Sequence, residues 1–429
     1  MSRERHNGIR YSPGKNPFIN DKGIRVYNHA QEVIRSYSSF RWKKANREIK
    51  KRGIDKRNCQ TFVVAPINRT GEVTYDFYFE QLQRQIGGDE KLKIGENIVG
   101  TNYGDHWKGD GEPDSRLLDG KIGVDSVYIV GSPQNEADYF LLANAAHELE
   151  DTYGVKTVTF LLTSIGLGRQ DKNTATDTND YDYKMRNIAT AMKMLSGDKH
   201  HIHRIIAIEP HSSVTHTEAT KNNIALAPIS PWKYLVDEID KLSPLDRQAT
   251  VVVRPDEGRN LAAQRIDRYL NVPWVSFEKH KIEGTDLVSF NLVHEEDEEK
   301  LKGMEVFLYD DEGASLKTIY NLAKDLKKYG VKKLKICLVH AKLTEGWEYK
   351  LREIIEQLNI PIEIFISDSR QPIGNVEKFN EAYPGTIKKI SLAPFIQEII
   401  QADIDDVNFW QDERYKKLIL QGMVGERIQ

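Results

Sequence analysis

Residues 307–318 read FLYDDEGASLKT. Phe307, Leu308 and Tyr309 could end a buried strand, Asp310 and Asp311 then stand side by side, and the turn leads into TIYNLAKDLKKYG (318–330). In that second stretch Ile319, Leu322, Ala323 and Leu326 fall at i, i+3, i+4 and i+7, the spacing that lines up one face of a helix. Strand, paired carboxylates, turn and helix follow in that order. Short β-branched runs of the same kind recur at 61–66, 126–132, 156–165, 204–210, 249–255, 273–279, 304–311, 334–340 and 362–368, with helical patterns between them. Strands apolar on both faces and linked through helices predict an α/β fold with mostly parallel sheets covered on both sides. Functional groups are then expected in the loops beyond the strand C-terminal ends.

Composition narrows the classes. The chain has 429 residues, 39% of them hydrophobic, which is enough for two or three packed domains. Charge is dense but balanced: 61 Lys and Arg against 64 Asp and Glu leave a net charge of −3, so nothing global calls for nucleic acid or a membrane surface. Two cysteines, Cys59 and Cys337, lie in or beside apolar runs and suit reduced thiols, with no disulfide framework and no metal-type Cys/His spacing. The N-terminal stretch lacks the apolar core of a signal peptide, and no run approaches the roughly 18 apolar residues of a membrane span. A soluble, cytoplasmic protein is expected.

Residues 41–57 stand apart, with nine Lys or Arg against two acids ahead of the first strand. Without interleaved aromatics they read as a solvated extension or an oligomer contact rather than a nucleic-acid arm. The expected organisation is a basic extension at 1–58, one α/β domain at 59–212, a second at 213–400 and a tail at 401–429.

The strand-end loops carry the chemistry. YDDEGASLKT closes a strand and opens a helix, an arrangement whose backbone N–H groups can face an anion while the acids meet ribose hydroxyls or a metal-bound ligand; an ordinary acidic helix start is the other reading. RPDEGRN (254–260) repeats the arrangement and EKHK (278–281) ends another strand with positive charge. Together they point to phosphorylated ligands.

The series LGRQDKN (167–173), IEPHSSV (208–214), VVVRPDEG (251–258), FEKHK (277–281), LYDDEGASLKT (308–318), LVHAKLTEG (338–346), ISDSRQP (366–372) and LAPFIQEII (392–400) resembles the phosphoribosyl pyrophosphate synthetases, over roughly residues 61–400. The resemblance implies two phosphoribosyltransferase-type halves that transfer the β,γ-diphosphoryl group of ATP to the anomeric hydroxyl of ribose 5-phosphate with Mg2+. It implies that Arg169, Gln170 and Asp171 hold ATP, that His211 lies near metal and phosphates, and that Asp256 belongs to the loop for pyrophosphate and metal. Lys279 and Lys281 then correspond to the mobile catalytic pair, with lysine where the family has arginine. WKGDGEP (107–113) resembles the loop that meets adenine across a subunit boundary: Asp110 and Glu112 match, while Trp107 is displaced by one position. Such a shared site implies a homo-oligomer, a dimer or larger.

One departure decides the acceptor. Where the family turn reads Asp-Thr-Ala-Gly-Thr, this chain has Ala314, Ser315, Leu316, Lys317 and Thr318, so Asp310 and Asp311 remain while the 5-phosphate end is rebuilt. The first reading is a ribose with a larger 5′ group, ADP-ribose, giving ADP-ribose pyrophosphate for NAD resynthesis. In it Lys317 meets the added phosphate, a lysine that would be costly to bury unmatched. The second keeps ribose 5-phosphate, held by Ser315, Lys317 and Thr318. The third is a non-catalytic regulatory homologue that binds nucleotide. The polar insertion TATDTNDYDY (174–183) reads as a solvated loop.

Overall fold

A computed structural model of the chain describes residues 27–64, 123–166, 181–198, 200–211, 213–255, 260–281, 288–370 and 372–419. Of the insertion at 174–183, residues 174–180 lie outside them, as do the loops at 107–113 and 167–173, while 181–183 open the helix Tyr181–Met194 rather than a loop.

Two sheets organise the described residues. The first runs in the order β1 (Cys59–Val64), β2 (Ser126–Gly131), β3 (Thr157–Leu162), β4 (Ile202–Ile208) and β5 (Ala225–Ile229), parallel throughout. The second contains β6 (Thr250–Arg254), β7 (Trp274–Lys281), β8 (Val288–Leu292), β9 (Glu305–Gly313), β10 (Lys333–Ala341), β11 (Ile362–Ser367) and β12 (Ile387–Ile390). Its order is β12-β11-β10-β9-β6-β7-β8, with the β7/β8 pair antiparallel and the others parallel. The α/β expectation holds. The described helices are α1 (Tyr27–Lys51), α2 (Glu136–Tyr153), α3 (Tyr181–Met194), α4 (Ser213–Lys221), α5 (Trp232–Leu242), α6 (Asn260–Leu270), α7 (Lys317–Lys328), α8 (Trp347–Arg352), α9 (Val376–Ala382) and α10 (Ala393–Ile404).

Burial on both faces explains why the strands read as continuous apolar runs. Every position of β2 and β3 is buried. One face of the first sheet (Val127, Ile129, Val158, Phe160) packs on Leu142 and Leu149 of α2 and Met192 of α3. Its other face (Tyr128, Val130, Leu161, Ile206) shares a cluster with Val252, Phe307 and Phe365 of the second sheet and with α5 and α10. A single apolar layer therefore joins the two sheets. On the outer face of the second sheet, Ile319, Leu322, Ala323 and Leu326 of α7 are buried as their spacing predicts.

Three parts of the sequence reading change. The first sheet runs on to Ile229, past residue 212 where the sequence suggests a division, because β5 pairs with β4 from Arg204↔Ala225 to Ile208↔Ile229. The basic segment 41–57 is neither a solvated extension nor an arm: Trp42 and Ile49 of α1, with Ile54 just beyond it, are buried, and α1 lies against β4 and β5. Most of its charges stay at the surface, Lys56 being the buried exception, while two large apolar groups seven residues apart seat the helix. The tail is also part of the core, since Phe409, Trp410, Tyr415 and Leu418 are buried and Ile419 bridges to Ile229 on the edge of β5.

An ionic knot holds these pieces. Asp403 of α10 accepts from Arg204 Nη1 at 3.0 Å and Nη2 at 2.7 Å, and from the Tyr128 hydroxyl at 2.7 Å. Lys56 approaches the same carboxylate at 3.3 Å, and Arg204 also donates to Asn46 of α1 at 2.8 Å. Burial raises the Asp403 carboxyl, but the Arg204 and Lys56 charges outweigh it and hold the group below the usual carboxylate range.

Cys59 and Cys337 are buried free thiols. Among the described residues no helix is long and apolar enough to cross a membrane.

Candidate active site

The C-terminal ends of the parallel strands from both sheets meet. At the end of β4 the chain turns sharply through Glu209, at φ 40°, then Pro210 and His211, before α4 begins. At the end of β9 come Asp310, Asp311 and Glu312, all buried, followed by Gly313. His211 Nδ1 lies 2.5 Å from Asp311 Oδ2, and Glu312 Oε2 is 4.0 Å from the same nitrogen. Lys342, one residue past β10, forms an ion pair with Glu312.

Other strand ends close the junction. The Ser369 carbonyl, beyond β11, accepts from Ser132 Oγ after β2 at 2.9 Å and from Thr163 Oγ1 after β3 at 2.7 Å. Arg370 Nη2 donates to Gln134 Oε1 at 2.7 Å. Burial pushes the Arg370 guanidinium down to about 10, against the pull of Glu312 and Asp138. His340 Nε2 donates to the Glu209 carbonyl at 3.0 Å, and burial pushes its imidazole down to about 4, so it is neutral at pH 7. The Tyr309 hydroxyl donates to Glu209 Oε2 at 3.2 Å; burial pushes that carboxyl up to about 7, hydrogen bonds lower it and the Asp311 charge adds to the rise.

The turn after the acids accounts for its own composition. A Cβ on Gly313 would lie 2.4 Å from Leu338 Cδ1, so the glycine there serves strand packing. Leu316 takes the left-handed conformation at φ 54° and is buried, its side chain in the α7 core offsetting the local strain. Helix α7 then starts at Lys317 with no side-chain cap, leaving its first backbone N–H groups open to an anion. Ser315 and Thr318 are half-buried and Lys317 is exposed, so the expected cost of burying Lys317 without a partner does not arise.

The sequence-derived candidates divide accordingly. His211, Asp310 and Asp311 are brought together, with Ser315, Lys317 and Thr318 on the turn that follows the acids. Asp311 is not an independent ribose clamp, since one of its oxygens is engaged by His211. Lys279 is exposed on β7, opposite Phe290 of β8. Lys281 ends the same strand. Trp107, Asp110, Glu112, Arg169, Gln170, Asp171 and Asp256 lie outside the described residues. Sequence reasoning passed over Glu209, Glu312, Lys342 and Arg370; all four sit in quoted strand-end motifs, the signal that could have found them.

Magnesium is held by oxygen ligands, usually one or two carboxylates together with substrate phosphates. Buried Asp310, Asp311 and Glu312 have the chemistry for that, while among the described residues no group of three or more Asp, Glu, His or Cys side chains is arranged to chelate a metal unaided.

No family model matches the chain. It is 34% identical to a ribose-phosphate pyrophosphokinase of Methanobrevibacter smithii over 134 residues, 30% of this chain and 42% of that protein. It is 28% identical to a ribose-phosphate pyrophosphokinase of Thermosipho africanus over 152 residues, 35% of this chain and again 42% of the relative. The chain thus spans about two-fifths of the length of the curated relatives it matches. In fold it is similar to the phosphoribosylpyrophosphate synthetase of Mycobacterium smegmatis, with a TM-score of 0.58 at 19% identity, covering 81% of this chain and 99% of that one. In sequence over part of its length and in fold over most of it, the chain is similar to phosphoribosyl pyrophosphate synthetases.

Proposed function

We propose that the chain is a Mg2+-dependent diphosphokinase that transfers the β,γ-diphosphoryl group of ATP to the anomeric hydroxyl of a 5′-substituted ribose, releasing AMP. The observation that carries this reading is the His211–Asp311 contact, which joins the ATP-side sheet to the ribose-side sheet at their strand ends. The Asp311 carboxylate against Nδ1 fixes the orientation of the His211 ring at this junction. Asp310 would take a ribose hydroxyl, and the open N–H groups at the start of α7, with Ser315 and Thr318, would take the 5′ phosphate. His211 and Asp256, which the resemblance places near metal, together with the buried carboxylates Asp310, Asp311 and Glu312, would hold Mg2+ arriving with ATP, and the ion would supply neutralisation of phosphate charge. Lys279 and Lys281 would bring positive charge to the transferring group, which gains most from it in the transition state. Arg169, Gln170 and Asp171 would hold ATP, and Trp107, Asp110 and Glu112 would reach it from a second copy in a homo-oligomer.

For the acceptor we favour ADP-ribose. Lys317 is exposed at the start of α7, where it can meet a second phosphate beyond the first. Ribose 5-phosphate is the alternative, and a specific feature favours it: left-handed Leu316 keeps a backbone shape that glycine adopts freely, so the turn still suits a terminal phosphate. The test is purified protein with ATP, Mg2+ and each acceptor in turn, following AMP and the new diphosphate by chromatography. AMP formation that requires an acceptor is expected; nucleotide binding without AMP would leave a regulatory homologue.

A further inference from the structure

A cavity of about 350 Å³ opens between α6 and the start of β7, lined by Arg254, Gln264, Asp267, Arg268 and Trp274 among others. We propose that this cavity binds a nucleoside monophosphate, independently of the reaction assigned above. Arg254 ends β6 almost wholly buried, and its guanidinium carbon lies 3.6 Å from the centre of the Trp274 ring. A buried arginine held flat on a tryptophan makes a rigid planar wall, the surface on which a heteroaromatic base stacks. Trp274 itself is 39% exposed, an unusual position for so large an apolar group.

Charge specifies the other end of the ligand. Arg254 donates to Asp267 Oδ2 at 2.5 Å, so these two charges offset each other. Arg268 remains, exposed at the rim and with no carboxylate partner among the described residues. One uncompensated cation beside a closed ion pair suits one phosphate. Gln264 supplies a third element. Its buried Oε1 has no hydrogen-bond partner among the described residues, and rotation of this lining amide toward the cavity would let it pair with the amino and N7 edge of adenine. The volume lies at the lower end for small-molecule sites, more than a bare phosphate needs and little for a dinucleotide.

The cavity borders the β6 strand end through Arg254, and its tryptophan wall lies away from the catalytic lysine. Trp274 opens β7 and Lys279 lies five residues further along it, roughly 17 Å of strand.

The experiment is titration of AMP into the full chain without Mg2+ or acceptor, following tryptophan fluorescence in the wild type and in Trp274→Phe. The expected result is a saturable change present in the wild type and absent from Trp274→Phe, retained in His211→Ala, and shifted at least about tenfold to weaker binding by Arg268→Glu. No Trp274-dependent change at millimolar AMP, or one that Arg268→Glu leaves in place, overturns the proposal. Inorganic phosphate displacing AMP at equal concentration overturns the nucleotide assignment. Because the readout is binding at Trp274, its failure is distinct from a failure of diphosphoryl transfer.

Discussion

His211 Nδ1 and Asp311 Oδ2 stand 2.5 Å apart although 100 residues separate them in the chain, and each closes a strand of a different sheet. A carboxylate in that position fixes both the tautomer and the angle of the imidazole ring. Asp311→Asn is therefore expected to lower the rate of AMP formation about ten- to a hundredfold while the fold persists. Steady-state kinetics beside a thermal melt would check it; unchanged turnover would remove Asp311 from the site.

Lys279→Ala is expected to abolish diphosphoryl transfer and leave ATP affinity and thermal stability near normal. The side chain is exposed, so its loss opens no cavity, and its charge would act mainly on the transition state. Near-normal turnover by this variant would refute the assignment.

The acceptor can be decided by a ratio. ADP-ribose is expected to have a kcat/KM about tenfold above ribose 5-phosphate, a gap of about 1.4 kcal/mol, and Lys317→Ala to narrow it. Equal or better use of ribose 5-phosphate would favour the turn shape set by Leu316.

Asp403→Asn should destabilise the chain by about 3–5 kcal/mol, because it removes a charge on which the buried Arg204 depends. Chemical denaturation gives the value directly. The Asp403 carboxyl is depressed in the fold, so its contribution is complete above the unfolded value of about 3.9 and is lost as the pH falls through the lower folded value. Acid denaturation of the wild type at pH below about 4 should thus include a step missing from the variant.

Much of the architecture is legible in the sequence, and the omissions share a cause. The strand runs from 61–66 to 362–368 all correspond to strands, whereas β5, β8 and β12 escape notice. These three are sheet edges. β5 carries Pro228 and two alanines, and β12 is a four-residue strand with Lys388 and Lys389, so neither shows the apolar run that a central strand must have. Along the basic segment 41–57, which spans the end of α1, nine basic residues mask the Trp42 and Ile49 pair that seats the helix. The types of residue in the site are readable from the strand-end motifs. That His211 would be held by Asp311, and that Lys317 would lie exposed, are consequences of how two sheets meet, which local spacing does not encode.

The knot around Asp403 also sets an order of events during synthesis. Lys56 is made early, yet its carboxylate partner lies 347 residues further on. At about 5–20 residues per second, roughly 20–70 seconds pass before that partner exists. Through that interval Trp42, Ile49 and Arg204 lack residues that enclose them, and α1, the first of the described helices in chain order, is among the last to dock. A nascent chain halted before residue 403 should accordingly leave α1 open to protease while the first sheet is already protected.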